Sequence, residues 1–120
     1  MSAQNEVVVL SAVRTAIGGF GGSLKDVAPT DLGSTVIREA VTRAGVDSSD
    51  IGHVVMGNVI HTEPKDMYLS RVAAVNAGIP IETPALTLNR LCGSGLQAIV
   101  TASQHIMLGD CTAAIGGGAE

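Results

Sequence analysis

The residues best suited to chemistry lie in one short segment, Asn89-Arg90-Leu91-Cys92-Gly93-Ser94-Gly95-Leu96-Gln97-Ala98. An apolar run gives way to a helical pattern at Cys92, which places this thiol where a helix begins. Unpaired N–H groups and the helix dipole stabilise negative charge there, which favours a thiolate. Gly93 and Gly95 leave room beside the sulfur for a substrate carbonyl, and the Cys92 N–H is placed to help hold an oxyanion. These are the requirements of a nucleophilic cysteine that forms an acyl-enzyme.

The same cysteine has a second interpretation. Free cysteines are among the residue types most often buried as inert core side chains, so the motif leaves both roles of Cys92 open. The other cysteine, Cys111, follows Asp110 rather than a positive group, and we expect it to fill the core. Two cysteines are too few for a secreted disulfide scaffold and lack the paired clusters of a zinc site, so we predict no metal site.

A nucleophilic thiol needs a base, and the three histidines are poorly placed for that role. At about 100° and 1.5 Å per residue, His105 would point about 140° away from Cys92 and lie roughly 20 Å along the helix. His53 precedes a predicted strand and His61 follows it, so both are candidates. Solvated loop histidines are the simpler interpretation of both.

A competing motif overlaps the cysteine segment. Residues 93–98 match G-x-G-x-x-A after a strand and at the start of a helix, which is the setting of a dinucleotide-binding fingerprint. Glu120 follows at about the right distance to bind a ribose. The alternative function is therefore a nicotinamide-dinucleotide-binding domain that uses Gly93, Gly95 and Glu120. Against it, a cysteine directly before the fingerprint has no role in pyrophosphate binding.

Alternating strands and helices must position these residues. Short apolar runs predict four buried strands, and helical spacing with glycine stops predicts three helices. The strands are expected at 7–13, within 51–60, at 85–88 and at 112–115, and the helices at 30–44, 66–77 and 93–108, with Thr30 and Asp66 as N-caps of the first two. This order favours one α/β domain over residues 1–120, with a mostly parallel sheet covered on both faces.

The third predicted helix differs from the other two because it is apolar on most sides, and a helix of that kind is buried nearly all round. Its apolar positions include Leu96, Ile99, Val100 and Leu108. We therefore expect a buried central helix covered by a further layer, which the chain does not supply.

Composition excludes several function classes. The chain has 120 residues, of which 46% are hydrophobic, 15% charged and 2% aromatic, with 15 glycines and a net charge of −4. An acidic chain with so few aromatic residues offers neither a basic surface nor a stacking platform for nucleic acid. It has neither a basic signal peptide nor an apolar run of membrane-spanning length, so we expect no membrane partner and a cytoplasmic location.

The cysteine segment resembles the N-terminal active-site motif of thiolases, the family of acetyl-CoA acetyltransferase and 3-ketoacyl-CoA thiolase. Further matches in family order are residues 13–18, 20–24, 57–59, 71–74 and 115–120. The Cys-Gly-Ser-Gly form is similar to biosynthetic and broad-range β-ketothiolases. The resemblance implies the layered thiolase fold, in which the matching cysteine starts a buried central helix.

The resemblance also implies a ping-pong acyl transfer. Cys92 would attack an acyl-CoA thioester and hold the acyl group, and a second acyl-CoA would condense with it; the reverse reaction is thiolysis of a 3-ketoacyl-CoA. Coenzyme A thioesters are then substrates, and no separate cofactor is implied. A homodimer or homotetramer is expected.

The family's remaining catalytic groups, a His, an Asn and a second Cys, belong to C-terminal motifs that this sequence does not contain. We therefore expect a fragment, about a third of a thiolase, that lacks the loop and C-terminal domains. On its own it would be inactive. A non-enzymatic alternative is a thiolase-derived segment that contributes only an assembly interface.

Overall fold

The computed structural model describes residues 5–120, so the first four residues of the predicted 1–120 domain lie outside it. Three helices, three strands and two short 3-10 helices form in the described part. In chain order they are α1 (Pro29–Ala44), a 3-10 helix (Ser48–Asp50), β1 (Ile51–Gly57), a 3-10 helix (Pro64–Tyr68), α2 (Leu69–Asn76), β2 (Ala85–Leu88), α3 (Ser94–Leu108) and β3 (Ala113–Gly118).

The three strands form a parallel sheet in the order β2-β1-β3, as the alternation of strands and helices predicts. Val54 in β1 lies opposite Ala85 in β2 and Ile115 in β3. Successive β1 side chains point to opposite faces. Val54 and Met56 pack against helices α1 and α2, whereas Val55 packs against α3. The α/β architecture with helices on both sheet faces is confirmed.

The predicted first strand, 7–13, is not formed. Val8, Val9 and Leu10 are 63%, 79% and 59% exposed, and the Ser11 hydroxyl donates to the Ala40 carbonyl at 2.7 Å. An apolar β-branched run becomes a strand only where a neighbouring strand supplies backbone hydrogen bonds. None of the described strands pairs with this segment, so the sheet has three strands rather than four.

Helix ends follow the sequence more closely at their C-termini than at their N-termini. Gly45 and Gly109 adopt left-handed φ values of 68° and 82° and end α1 and α3 as predicted. The expected caps are wrong. Helix α1 begins at Pro29 with Ala28 as its N-cap, and Asp66 lies within a 3-10 helix before α2.

Helix α3 packs on the sheet only with the side that carries small residues. Ala98 and Ala102 are buried against Val55, whereas Leu96 and Leu108 on the outer side are 70% and 78% exposed. The described residues thus bury one side of the helix and leave an apolar outer side uncovered, as expected from its composition.

Candidate functional site

The candidate site lies at one edge of the sheet, where all three strands end. Because the strands are parallel, their carboxyl ends meet at this edge, the usual ligand-binding position in α/β proteins. Asn58 follows β1, residues 89–93 follow β2, and Ala119 and Glu120 follow β3. The sequence thereby brings Cys92 and Glu120 to the same edge.

Cys92 occupies a tight turn between β2 and α3. It directly precedes Gly93, the N-cap of α3, and its side chain is exposed. The exposed position removes the interpretation of Cys92 as an inert core residue, at least among residues 5–120. Leu91 has a φ of 50°, the one positive value at a non-glycine position in the described residues. Strained backbone of this kind persists where the surroundings over-determine it, as at functional sites.

Hydrogen bonds around Ser94 hold this turn. The Ser94 hydroxyl donates to the Leu91 carbonyl at 2.6 Å and accepts the Arg90 N–H at 2.8 Å. The Ser94 N–H also donates to the Leu91 carbonyl, at 3.0 Å, and the Gly93 N–H donates to the Arg90 carbonyl at 3.1 Å. Ser94 is 5% exposed, so these bonds are protected from water. They close the backbone into the conformation that presents Cys92.

The absence of a side chain at Gly57 lets this turn sit directly on the end of β1. A Cβ at Gly57 would lie 2.7 Å from Ser94 Cβ and 2.8 Å from the Ser94 carbonyl carbon. Both distances are far below ordinary carbon–carbon contacts of roughly 3.5–4.0 Å. The glycine is therefore required for the observed position of the cysteine turn over the sheet.

A polar network joins the ends of β1 and β3. Asn58 is 1% exposed, and its Nδ2 donates to the Ala119 carbonyl at 2.9 Å. The Glu120 carboxylate accepts the next two backbone N–H groups, from Val59 to Oε2 at 3.0 Å and from Ile60 to Oε1 at 2.8 Å. The loop after β1 is thus shaped by the end of β3.

Asn89 connects that loop to the cysteine turn. Its Oδ1 accepts the Leu91 N–H at 2.9 Å, and its Nδ2 donates to the Val59 carbonyl at 3.4 Å. A continuous hydrogen-bonded path therefore runs from Glu120 through the loop after β1 to the residue before Cys92. Sequence reasoning included Asn89 in the cysteine segment and Asn58 in a matching stretch, but it missed the hydrogen bonds that both residues make at the site. The signal available was their position, each directly after a strand.

Of the three histidines, His61 is the one at the site edge. Its Nδ1 lies 2.6 Å from Asn58 Oδ1. Because Asn58 Nδ2 faces the Ala119 carbonyl, Oδ1 faces the ring, so His61 Nδ1 donates to it. None of the hydrogen bonds within residues 5–120 joins a histidine to Cys92 Sγ.

The other two histidines lie together far from the cysteine. His53 is inside β1 rather than before it, and its ring stacks on His105 with centroids 4.0 Å apart. His105 Nδ1 pairs with Asp110 Oδ2 at 2.9 Å. At 1.5 Å per residue, His105 lies roughly 16 Å along α3 from its first residue, so neither ring can take a proton from Cys92. His53 is therefore removed as a candidate base.

A cation lies beside the first turns of α3. An Arg90 guanidinium nitrogen donates to Gln97 Oε1, and Gln97 Nε2 donates to Thr101 Oγ1 at 3.1 Å. Gln97 thus fixes the arginine against the helix that Cys92 precedes. This adds positive charge to the helix N-terminus.

Burial affects the pKa values of one carboxyl group, Asp66, and one thiol, Cys111. Asp66 is fully buried; burial opposes its charged form, but hydrogen bonds from Thr62 and Glu63 and the nearby His61 hold the pKa of its carboxyl below the usual value. At Cys111, burial and then the charge of Asp110 raise the pKa of the thiol. Cys111 is only half-buried and is not among the buried core residues.

The dinucleotide alternative loses its acidic residue in this arrangement. Both Glu120 oxygens accept backbone N–H groups, from Val59 and Ile60, so in this structure the carboxylate binds the loop after β1. Within residues 5–120, no three His, Cys, Asp or Glu side chains gather as metal ligands. No helix in this part of the chain is long and apolar enough to cross a membrane.

Comparison with known proteins gives one family. A family model for the N-terminal domain of thiolase matches residues 7–120. The chain is 72% identical over 115 residues to beta-ketothiolase BktB of Cupriavidus necator. This alignment covers 96% of this chain and 29% of that protein. The crystal structure of Bacillus anthracis acetyl-CoA acetyltransferase matches with a TM-score of 0.88 at 39% identity, over 97% of this chain and 29% of that chain.

A second solved structure is human mitochondrial 3-ketoacyl-CoA thiolase in complex with CoA. It matches with a TM-score of 0.83 at 43% identity, over 86% of this chain and 26% of that chain. The chain thus spans less than a third of the length of the proteins it matches.

Proposed function

The chain belongs to the thiolase N-terminal domain family, and from that premise we propose that it carries the nucleophile of an acyl-CoA C-acyltransferase. Cys92 Sγ attacks the thioester carbonyl of an acyl-CoA, CoA leaves as its thiol, and the acyl group stays on sulfur. A second acyl-CoA, deprotonated at its α-carbon, then attacks the acyl carbon, giving a 3-ketoacyl-CoA and free Cys92. Thiolysis is the reverse sequence.

The observation that carries this proposal is the position of Cys92. Its exposed thiol lies at the carboxyl edge of a parallel sheet, in a strained turn directly before the N-cap of α3. A substrate carbonyl can reach the thiol there, and the Arg90 guanidinium is held against the first turns of the helix that Cys92 precedes. Similarity to a beta-ketothiolase and to a thiolase crystallised with CoA supports acyl-CoA as the substrate class.

The outer side of α3 supports a second part of the proposal, that this chain is the N-terminal portion of a larger catalytic unit. Leu96, Ile99 and Leu108 form an exposed apolar surface on a helix whose other side is already buried. In the complete enzyme a further layer covers this surface and brings the base that Cys92 lacks within residues 5–120. The 120-residue chain alone is then inactive.

The remaining parts of the proposal concern cofactor, assembly and location. CoA thioesters serve as substrates and no separate cofactor takes part. The complete enzyme is a homodimer or homotetramer in the cytoplasm. The two free cysteines support a reducing compartment.

Selective alkylation of the two thiols tests the role of Cys92. With iodoacetamide near neutral pH, we expect Cys92 to react at least about tenfold faster than Cys111, because Cys111 is half-buried and its thiol pKa is raised. Peptide mass spectrometry assigns the label, and Cys92→Ser serves as the control that must remove the fast phase. Equal rates, or protection of Cys92, would contradict the proposal.

A separate measurement tests the need for a further layer. The purified 120-residue chain is incubated with a 3-ketoacyl-CoA and CoA, and loss of substrate is followed by absorbance. We expect no rate above that of Cys92→Ser. A cysteine-dependent thiolysis rate would show that the described residues already contain a complete site.

A further inference from the structure

Glu120 makes an unusual contact for an exposed acidic side chain. Its two carboxylate oxygens accept consecutive backbone N–H groups, from Val59 at 3.0 Å and from Ile60 at 2.8 Å. Hydrogen bonds to a charged acceptor are roughly twice as strong as neutral ones. The carboxylate therefore fixes the direction of the loop after β1 more firmly than backbone contacts alone.

The loop fixed in this way is the one that holds the cysteine turn. The Val59 carbonyl accepts a hydrogen bond from Asn89 Nδ2 at 3.4 Å, and Asn89 Oδ1 accepts the Leu91 N–H at 2.9 Å. Leu91 is the residue with φ of 50°, directly before Cys92. A positive φ at a leucine reverts to ordinary backbone unless its neighbours hold it.

We propose that Glu120 is a positioning residue for Cys92, acting through the loop after β1 and Asn89 to hold the Leu91–Cys92 turn. This inference deepens the proposed function and rests on Cys92 being the nucleophile. The hydrogen bonds of the Glu120 side chain go to Asn58, Val59 and Ile60 rather than to the thiol, so it acts on the geometry in which the thiol is presented.

The chemistry of the contact requires a carboxylate. Two adjacent N–H donors need two acceptors, and a carboxylate supplies both. Glutamine at position 120 would offer one acceptor and turn its NH2 group toward the other donor. Asn58 keeps its own bond to the Ala119 carbonyl at 2.9 Å, so the end of β3 stays attached and the fold is retained.

The test compares Glu120→Gln with Glu82→Gln in the complete enzyme. Glu82 is an exposed carboxylate on the loop before β2, so the control makes the same change of charge away from the network. Iodoacetamide alkylation of Cys92 is measured with Cys111 as the internal reference thiol, and thermal unfolding is followed by circular dichroism. In Glu120→Gln we expect the Cys92 rate to fall about three- to tenfold, as lost charge-assisted hydrogen bonds imply. The Cys111 rate should stay that of Glu82→Gln.

A second variant breaks the same path at another point. Asn89→Ala removes the link between the loop and Leu91, and we expect a similar fall in the Cys92 rate. The double variant should fall no further than the stronger single variant, because both residues act in series. If Glu120→Gln fails to fold, an unchanged Cys92 rate in Asn89→Ala still overturns the inference, because the path runs through Asn89.

The outcomes separate this inference from the proposed function. An unchanged Cys92 rate in Glu120→Gln or Asn89→Ala overturns the inference, and so does an equal change at Cys111, which would mark general loosening. Additive effects in the double variant also overturn it. A wild-type Cys92 no faster than Cys111 contradicts the proposed function itself, whatever the Glu120 variant does.

Discussion

Replacing Gly57 by alanine should displace the cysteine turn from the sheet. The new Cβ would lie 2.7 Å from Ser94 Cβ and 2.8 Å from the Ser94 carbonyl carbon. Carbon atoms normally approach to roughly 3.5–4.0 Å, so the overlap is about 1 Å. One of the two atoms belongs to the backbone and cannot rotate away, so the first turn of α3 must shift. Overpacking of this kind costs about 1–3 kcal/mol in the free energy of unfolding.

Gly95 provides the matched control because it lies next to Ser94 in the first turn of α3, the turn that Gly57→Ala would displace. A Cβ there would meet no atom within 4 Å, and Gly95 is not among the glycines with positive φ. Alanine in a helix is favoured over glycine by up to about 1 kcal/mol, so Gly95→Ala should leave the chain equally or more stable.

Urea unfolding followed by far-ultraviolet circular dichroism measures both variants, and iodoacetamide reports on Cys92. For Gly57→Ala we expect a lower unfolding midpoint together with a changed Cys92 alkylation rate. The reasoning is refuted if Gly57→Ala matches the wild-type stability, or if Gly95→Ala is destabilised as much as Gly57→Ala.

Two further perturbations test burial away from the thiol. Burial and the charge of His105 hold the pKa of His53 below its usual 6.5, so the unfolded chain takes up a proton first as pH falls. The free energy of unfolding should be constant above about pH 6.5 and decline below it. His53→Gln should reduce that decline, measured as urea midpoints between about pH 7.5 and 5.5. The same decline in wild type and His53→Gln would contradict the role given to His53. Asp66→Ala leaves the Thr62 and Glu63 donors without their acceptor at a buried position, at a cost of about 2–3 kcal/mol. The exposed Asp26→Ala should stay within about 0.5 kcal/mol of wild type, and a similar loss in both variants would contradict the assignment.

Local patterns in the sequence account for most of the elements. The glycine stops of α1 and α3 are confirmed because they depend on neighbouring residues alone, and the 85–88 strand is confirmed because β1 supplies its pairing partner. The 7–13 strand failed because strand formation depends on a second strand. Its apolar β-branched pattern is suitable, but the described residues provide no hydrogen-bond partner for it.

The candidate site could be predicted only in part. The cysteine at the junction of strand and helix follows from spacing within ten residues. The contacts of Glu120 join positions about 60 residues apart, and no local pattern encodes them. Sequence reasoning placed Glu120 correctly after a strand but gave it a specific role only in the alternative function, as a ribose ligand, because an isolated acidic residue gives no sign that a loop will bind it.

The parallel sheet explains why these distant residues meet. Parallel strands place every carboxyl end at one edge, so each crossover returns the chain to the same place. Asn58 directly follows β1, the cysteine turn follows β2, and Ala119 and Glu120 follow β3. The strained turn after β2 lies against the end of β1, the middle strand. Gly57 supports the turn by direct contact with Ser94, and in our proposal Glu120 supports it through its hydrogen bond to the Val59 N–H. The two supports act on different residues, Gly57 on Ser94 and Glu120 on Val59. Gly57→Ala and Glu120→Gln should therefore change the alkylation rate of Cys92 independently rather than in series.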